Sequence, residues 1–112
     1  MALKRSPEAE SLGLLGLARR AGATAPGVDR ARKCLQADEA RLVLVARDAS
    51  EVQLAKVKGI LQHREIPVRW VSGQATLGGA MGMAPVSVVA VTVESFAESL
   101  ARTLPPTGWN AA

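Results

Sequence analysis

The chain has 112 residues, with 14 lysine and arginine residues against 10 aspartate and glutamate residues, which suits one globular domain. A single cysteine excludes a disulfide framework and a multi-cysteine metal site. The 3% aromatic content disfavours modules that stack bases on an aromatic sheet. No apolar signal core follows Lys4 and Arg5, and the longest weakly polar run, 83–93, is too short to span a bilayer. We therefore expect a soluble, cytoplasmic protein with no membrane partner.

The positive charge is concentrated in one part of the chain. Residues 11–34 sum to +4, which equals the formal net charge of the whole protein. A local basic cluster is the electrostatic feature expected of a protein with a polyanionic partner, whereas an ordinary solvated helix face is the alternative. The basic residues of this segment are Arg19, Arg20, Arg30, Arg32 and Lys33.

The first third of the chain predicts two helices separated by a short strand. Ser6 is a favourable N-cap for a first helix, which Gly22 ends. Residues 23–26 predict an edge strand, where a proline is tolerated. A second helix runs from Gly27 to about Ala37, with its apolar residues on one face.

The middle of the chain predicts a buried strand, a helix and another strand. Residues 41–46 are an almost unbroken apolar run, which is typical of a strand buried on both faces. Ser50 and Gln53 have the capping-box spacing and begin a third helix. Residues 66–71 predict the next strand.

The last third predicts a short glycine-rich helix over 76–82, a loop over 83–85, a buried strand over 86–93 and a closing helix over 96–104. We interpret the glycines of this short helix as sites of packing and close backbone approach. Residues 105–112 are expected to form a loose tail.

Alternating strands and helices predict an α/β fold with helices on both faces of a sheet. We therefore expect one domain over 1–104, built as a three-layer sandwich. Its predicted core includes Leu15, Leu44, Leu61, Val89 and Leu100.

Five short motifs in a fixed order identify a family resemblance. They are LLGLARRAG at 14–22, Gly27 with Lys33, LVLVARDAS at 42–50, IPV at 66–68 and LGGAMG at 77–82. This order resembles the L7Ae/L30e ribosomal protein family, in particular its small stand-alone bacterial, YlxQ-like branch, over about residues 11–100. The resemblance implies a three-layer α/β/α sandwich with a mixed sheet of about four strands, and binding to structured RNA, typically kink-turns.

The resemblance also implies where the RNA binds: at the N-terminus of the second helix and at the loop after the glycine-rich helix. Gly27 and Lys33 match the family pattern in type and spacing. The family's asparagine position holds Asp29, and its glutamate position holds Arg30. A guanidinium cannot accept the hydrogen bonds that a carboxylate accepts from guanine, so standard kink-turn readout does not follow. The candidate RNA-binding residues are Gly27, Asp29, Arg30, Arg32, Lys33, Met83, Ala84 and Pro85.

No catalytic or metal-binding constellation is predicted. Asp48 and Ser50 are expected to be helix caps, and their spacing from His63 does not support a triad. Cys34 is expected to be a buried, inert thiol. We expect a non-catalytic, monomeric protein without a cofactor.

The predicted partner is a structured RNA, ribosomal or kink-turn-like, in the setting of the ribosome or another translation-related protein. A protein-interaction module on the same fold, with weak or no RNA binding, is the alternative function. Salt-sensitive RNA binding that is lost when the second helix loses its charge would distinguish the two.

Overall fold

The computed structural model describes residues 6–112. Lys4 and Arg5, with the rest of the first five residues, lie outside the described residues. Helices and strands alternate along the described chain, as the sequence predicts. In chain order the elements are α1 (Pro7–Arg20), β1 (Thr24–Pro26), α2 (Val28–Gln36), β2 (Leu42–Ala46), α3 (Glu51–Leu61), β3 (Val68–Val71), α4 (Gln74–Ala80), β4 (Val88–Val91) and α5 (Glu94–Thr103).

The four strands of the described chain form one mixed sheet in the order β1-β4-β2-β3. β2 pairs in parallel with β3, while β4 is antiparallel to both β1 and β2. The short strand with Pro26 lies at one edge, as predicted. The mixed α/β architecture of the prediction is therefore confirmed.

The two central strands are buried on both faces because alternate residues enter different cores. Leu42 and Leu44 pack with Leu15 of α1 and with α4 and α5, whereas Val43 and Val45 pack with α2 and α3. All five residues of β2 are fully buried, which explains its nearly continuous apolar run. The five predicted core residues are all fully buried; they are Leu15, Leu44, Leu61, Val89 and Leu100.

The short helix α4 begins two residues earlier than the sequence predicts. Its first residue, Gln74, donates its backbone amide to the carboxylate of Asp48 at 2.8 Å. Asp48 follows β2, so the cap comes from a residue 26 positions earlier in the chain. Because such a cap is not local, the periodicity around residue 74 contains no signal for it.

The expectation of a loose tail over 105–112 is wrong. The carbonyl of Pro105 accepts a hydrogen bond from Trp70 of β3, and Thr107 donates its amide to the carbonyl of Val68. The amide nitrogen of the Asn110 side chain lies 2.8–3.1 Å from the carbonyl oxygens of Leu61, Arg64 and Ile66. The segment is therefore held against the free edge of β3.

Candidate nucleic-acid interface

The sheet register brings four chain connections to one end of the sheet, the end at which β1, β2 and β3 finish and β4 begins. We use 'this edge' for this end of the sheet and not for an outer strand. β1 and β4 are antiparallel with Pro26 opposite Val89, so β1 ends where β4 begins. β2 ends beside the start of β4, since Val45 is opposite Val88, and β3 runs parallel to β2. The start of α2, the β2–α3 turn, the start of α4 and the α4–β4 loop therefore lie at the same end of the sheet.

Hydrogen bonds fix three of these connections to one another. The side chain of Gln74 donates to the carbonyl of Asp48 and accepts a hydrogen bond from the Ser87 hydroxyl at 2.9 Å. The backbone amide of Val86 donates to the Gln74 carbonyl. The β2–α3 turn, α4 and the α4–β4 loop thus form one connected surface.

Gly27 places the start of α2 at this edge. Its backbone has φ +95° and ψ 154°, a conformation that is open to glycine and strained for other residues. Its amide donates to the carbonyl of Val88, and its carbonyl accepts the first helical hydrogen bond, from Ala31. No side chain caps the N-terminus of α2, so the positive end of the helix dipole is uncapped at this end of the sheet.

Helix α2 separates an apolar face from a charged face. Ala31, Cys34 and Leu35 are buried, as its predicted periodicity requires. The candidate residues on this helix are all exposed; they are Asp29, Arg30, Arg32 and Lys33. Asp29, in the first turn, is favourably placed for the helix dipole.

The cations of α2 border two shallow depressions. One, of about 410 Å³, is lined by Asp29, Arg32, Lys33 and Gln36. The other, of about 520 Å³, lies against β1, and Arg30, Lys33, Cys34 and Glu39 are among its lining residues. Lys33 borders both depressions, so the three basic side chains lie on adjoining parts of one surface, where Asp29 and Glu39 are the acids.

None of these three cations forms an ion pair with an acid within residues 6–112. The ion pairs in this part of the chain are Arg41 with Glu94 and Arg64 with Asp38. Arg30, Arg32 and Lys33 take part in neither. They are therefore available for an external anion.

The α4–β4 loop, which contains residues 83–85, leads into Val88, whose carbonyl accepts the hydrogen bond from Gly27 at the start of α2. Ala84 and Pro85 are exposed, whereas the half-buried side chain of Met83 packs against the core. Gly78 allows the loop to cross α4 closely, because a Cβ at this position would lie 2.8 Å from the carbonyl carbon of Ala84. The glycine is thus needed for close backbone approach, as predicted.

Two further kinds of residue that the sequence singled out, the α1 arginines and the cysteine, are not part of the exposed charged face of α2. Arg19 and Arg20 occupy the last turn of α1, before β1 begins, where cations favour the helix dipole. Cys34 is buried, as predicted, and burial, followed by the nearby Glu39 carboxylate, raises the pKa of its thiol, with Arg41 acting in the opposite direction.

Sequence reasoning missed Arg47, which directly follows β2 at the same edge. Its guanidinium carbon lies 5.1 Å from the ring centroid of Trp70, and it joins no ion pair within the described chain. The sequence does indicate its position, because a basic residue that directly follows a buried strand must lie at the surface where that strand ends.

Asp48 and Ser50 act as helix caps, as expected. Ser50 accepts a hydrogen bond from the Gln53 amide at the start of α3, and Asp48 serves α4. Residues 6–112 contain no group of three or more histidine, cysteine or acidic residues that could hold a metal ion. In this same range, no helix is both long and apolar enough to cross a membrane.

Comparison with known proteins identifies the family. Residues 9–101 match the model of the ribosomal protein L7Ae/L30e/S12e/Gadd45 family. The chain belongs to this family. Among its curated relatives is a Bacillus subtilis (strain 168) protein named RNA-binding protein YlxQ, which is 38% identical over 87 residues, covering 78% of this chain and 87% of the relative. This match confirms the YlxQ-like branch.

A solved structure supports the fold independently. It is that of a protein of unknown function from Bacillus halodurans C, with a TM-score of 0.79 and 31% sequence identity. The match covers 84% of this chain and 95% of that chain. The four-stranded mixed sheet with helices on both faces is therefore the fold of this L7Ae/L30e family member.

Proposed function

We propose that the protein is a non-catalytic RNA-binding protein that contacts structured RNA through the N-terminus of α2 and the α4–β4 loop. The observation that carries the proposal is a set of three exposed cations, Arg30, Arg32 and Lys33, that form no ion pair within residues 6–112 and lie on a helix whose N-terminus has no side-chain cap. Phosphate oxygens suit both the guanidinium and ammonium groups and the open end of the helix. Family membership and the name of the B. subtilis relative support RNA as the polyanion.

Gly27 has a direct role in this proposal. With no side chain at the helix start, a phosphate can approach the first turn of α2 closely. The exposed Ala84 and Pro85 lie on the α4–β4 loop, which leads into Val88, the hydrogen-bond partner of Gly27, and we propose that they contact an extruded nucleotide. An apolar loop tip next to a cationic helix suits the two chemical components of RNA, its bases and its phosphates.

Arg30 determines the kind of RNA recognition. It lies in the exposed first turn with Arg32 and Lys33 close by, and it offers five N–H donors and no acceptor. This environment favours a phosphate, or the O6 and N7 atoms of guanine, over the donor edge of guanine. We therefore propose that the protein binds ribosomal or other structured RNA without the carboxylate-mediated readout of a standard kink-turn.

Two substitutions on α2 test the proposal. Lys33→Ala removes one charge and should weaken binding to a kink-turn hairpin by about tenfold, at the lower end of a charge-assisted contact of roughly 1.5–3 kcal/mol, because the site is wet. Arg30→Glu should weaken binding further, since it reverses a charge on a surface where Arg30, Arg32 and Lys33 outnumber Asp29. Lys56→Ala, an equal charge change on the exposed surface of α3, is the control and should leave the affinity unchanged.

Tighter kink-turn binding by the Arg30→Glu variant would contradict phosphate contact and restore the family's guanine readout. Unchanged affinity of both folded variants for every RNA tested would overturn the proposal. The protein-interaction alternative would then account better for the surface of α2.

A further inference from the structure

The chain has two tryptophans, and they meet at the surface although they are 39 positions apart. Trp70 of β3 and Trp109 of the C-terminal segment have ring centroids 5.6 Å apart and planes at 83°, an edge-to-face arrangement. Both side chains are half-buried. A cavity of about 410 Å³ lies between the indoles and α3, and we call it the tryptophan groove. It is lined by Glu51, Leu54, Ala55, Lys58, Trp70 and Trp109.

A basic side chain lies over each indole ring in a cation–π contact. The guanidinium of Arg47 lies 5.1 Å from the centroid of Trp70, and the ammonium of Lys58 lies 5.2 Å from that of Trp109. Both cations belong to exposed residues and join no ion pair within residues 6–112. Lys58 lines the groove together with one acid, Glu51, and Arg47 lies next to it over the indole of Trp70. With Arg47 counted, two cations stand against one acid around the groove, which suits a polyanion.

The groove is preorganised because the C-terminal segment is anchored on both sides of Trp109. Trp70 donates its amide to Pro105, and the Asn110 side chain contacts three carbonyl oxygens at the end of α3 and just beyond it. A ligand therefore meets an indole that is already in place. Trp109 also lies outside residues 9–101, the range that the family model matches.

The groove adjoins the edge at which α2 begins. Arg47 directly follows β2, and the neighbouring Ala46 amide donates to the carbonyl of Ser87 at the end of the α4–β4 loop. Helix α3 starts at the same edge and carries Lys58 two turns further along. A strand of RNA that leaves the α2 surface past the β2–α3 turn would enter the groove.

We propose that the tryptophan groove binds an unpaired stretch of the RNA that α2 contacts, with a base stacked on the indoles and its phosphates held by Arg47 and Lys58. This rests on the proposed function. Base stacking on an aromatic ring tolerates any base and exceeds the energy of an exposed cation–π contact. A base can therefore displace the cations from the rings, and the freed cations then pair with the adjacent phosphates.

Intrinsic fluorescence tests this directly, because both tryptophans of the chain lie in the groove. The probe is a dodecamer of adenosine RNA, which is titrated at low salt. Stacking should quench the tryptophan emission and saturate with the dodecamer. Trp109→Ala should weaken binding about fivefold or more by anisotropy of a labelled dodecamer, and Trp109→Phe should preserve it. An absence of quenching by the dodecamer would overturn the proposal.

Lys58→Ala and Lys56→Ala form a matched pair on α3, since both residues are exposed and only Lys58 lines the groove. The Lys58 variant should bind the dodecamer several-fold more weakly, whereas the Lys56 variant should match the wild type. Equal effects of the two would contradict a phosphate contact in the groove. Quenching by a decaproline peptide, with none by the dodecamer, would assign the groove to a proline-rich partner and overturn the proposal.

A kink-turn hairpin without single-stranded extensions, measured in parallel, separates this proposal from the proposed function. If the hairpin binds with dependence on Lys33 but the dodecamer causes no quenching, the groove proposal fails alone. If the dodecamer quenches while no hairpin binds, the groove is supported as a single-strand site and the α2 proposal fails.

Discussion

The backbone amide of Gly27 donates a 2.8 Å hydrogen bond to the carbonyl of Val88. This bond joins the start of α2 to the start of β4, and hence to the end of the α4–β4 loop. The two segments of the proposed RNA site, the start of α2 and the α4–β4 loop, are therefore held together by a backbone hydrogen bond at the end of the sheet. Their relative position depends on the backbone of a glycine that no other residue can replace without strain.

Gly27→Ala should cost about 1–3 kcal/mol of unfolding free energy, because its φ of +95° with ψ 154° is strained for alanine. Urea denaturation measures the loss. The control is Gly59→Ala on the exposed side of α3, where a Cβ meets no atom within 4 Å and alanine should stabilise the helix by about 0.5–1 kcal/mol. Equal stability changes of the two variants would contradict the strain argument.

Gly78→Ala should destabilise the protein by about 1–3 kcal/mol, because its Cβ would overlap the backbone of Ala84 and force the loop away from α4. Gly79→Ala is the matched control in the same helix: nothing lies within 4 Å of its Cβ, and a small gain in stability is expected. The comparison requires only the melting temperatures of the two variants. A Gly78 variant as stable as the Gly79 variant would mean that the loop does not approach α4 this closely.

Asn110→Ala should destabilise the protein by about 1–3 kcal/mol, since it removes the donor that three carbonyl oxygens share at the end of α3. Removal of the exposed Ala111 and Ala112 is the control and should have little effect. Hydrogen exchange at the Trp70 amide, which bonds to Pro105, should become faster only in the Asn110 variant. Unchanged exchange would restore the interpretation of 105–112 as a loose tail.

The Cys34 thiol should react slowly with an aromatic disulfide reagent in the native protein and rapidly in urea. Burial is the largest cause that raises the pKa of this thiol, so the thiolate is scarce near neutral pH. Because the folded state holds the proton more tightly, this contribution to stability is complete below the pKa of the unfolded thiol and declines as pH rises through and above that value. Native and unfolded reaction rates that agree at pH 7 would contradict the burial of Cys34.

The sequence predicts the parts of the fold that depend on local patterns. The apolar run of β2 and the two-faced character of α2 are such patterns, and both elements lie within a residue or two of their predicted positions. The family motifs add the location of Gly27 and Lys33. The exposure of all four charged candidates on α2 follows directly from helical spacing.

The features that were missed depend on contacts between distant residues. The cap of α4 joins Asp48 to Gln74, and the pairing of Trp70 with Trp109 requires the C-terminal segment to fold back along β3. Neither contact has a periodic signature in the sequence. Proline and glycine at 105–108 correctly predicted the end of α5, but they contain no information on where the chain goes next.

The most direct test of the proposed RNA site is the salt dependence of binding to a kink-turn hairpin. Binding should weaken linearly in a log–log plot between about 50 and 300 mM KCl, because neutralised phosphates release counterions. Replacement of Arg30, Arg32 and Lys33 by alanine should make that slope shallower by about two, since each lost phosphate contact removes somewhat less than one unit. A wild-type slope near zero, or an identical slope in the folded triple variant, would contradict phosphate binding by α2.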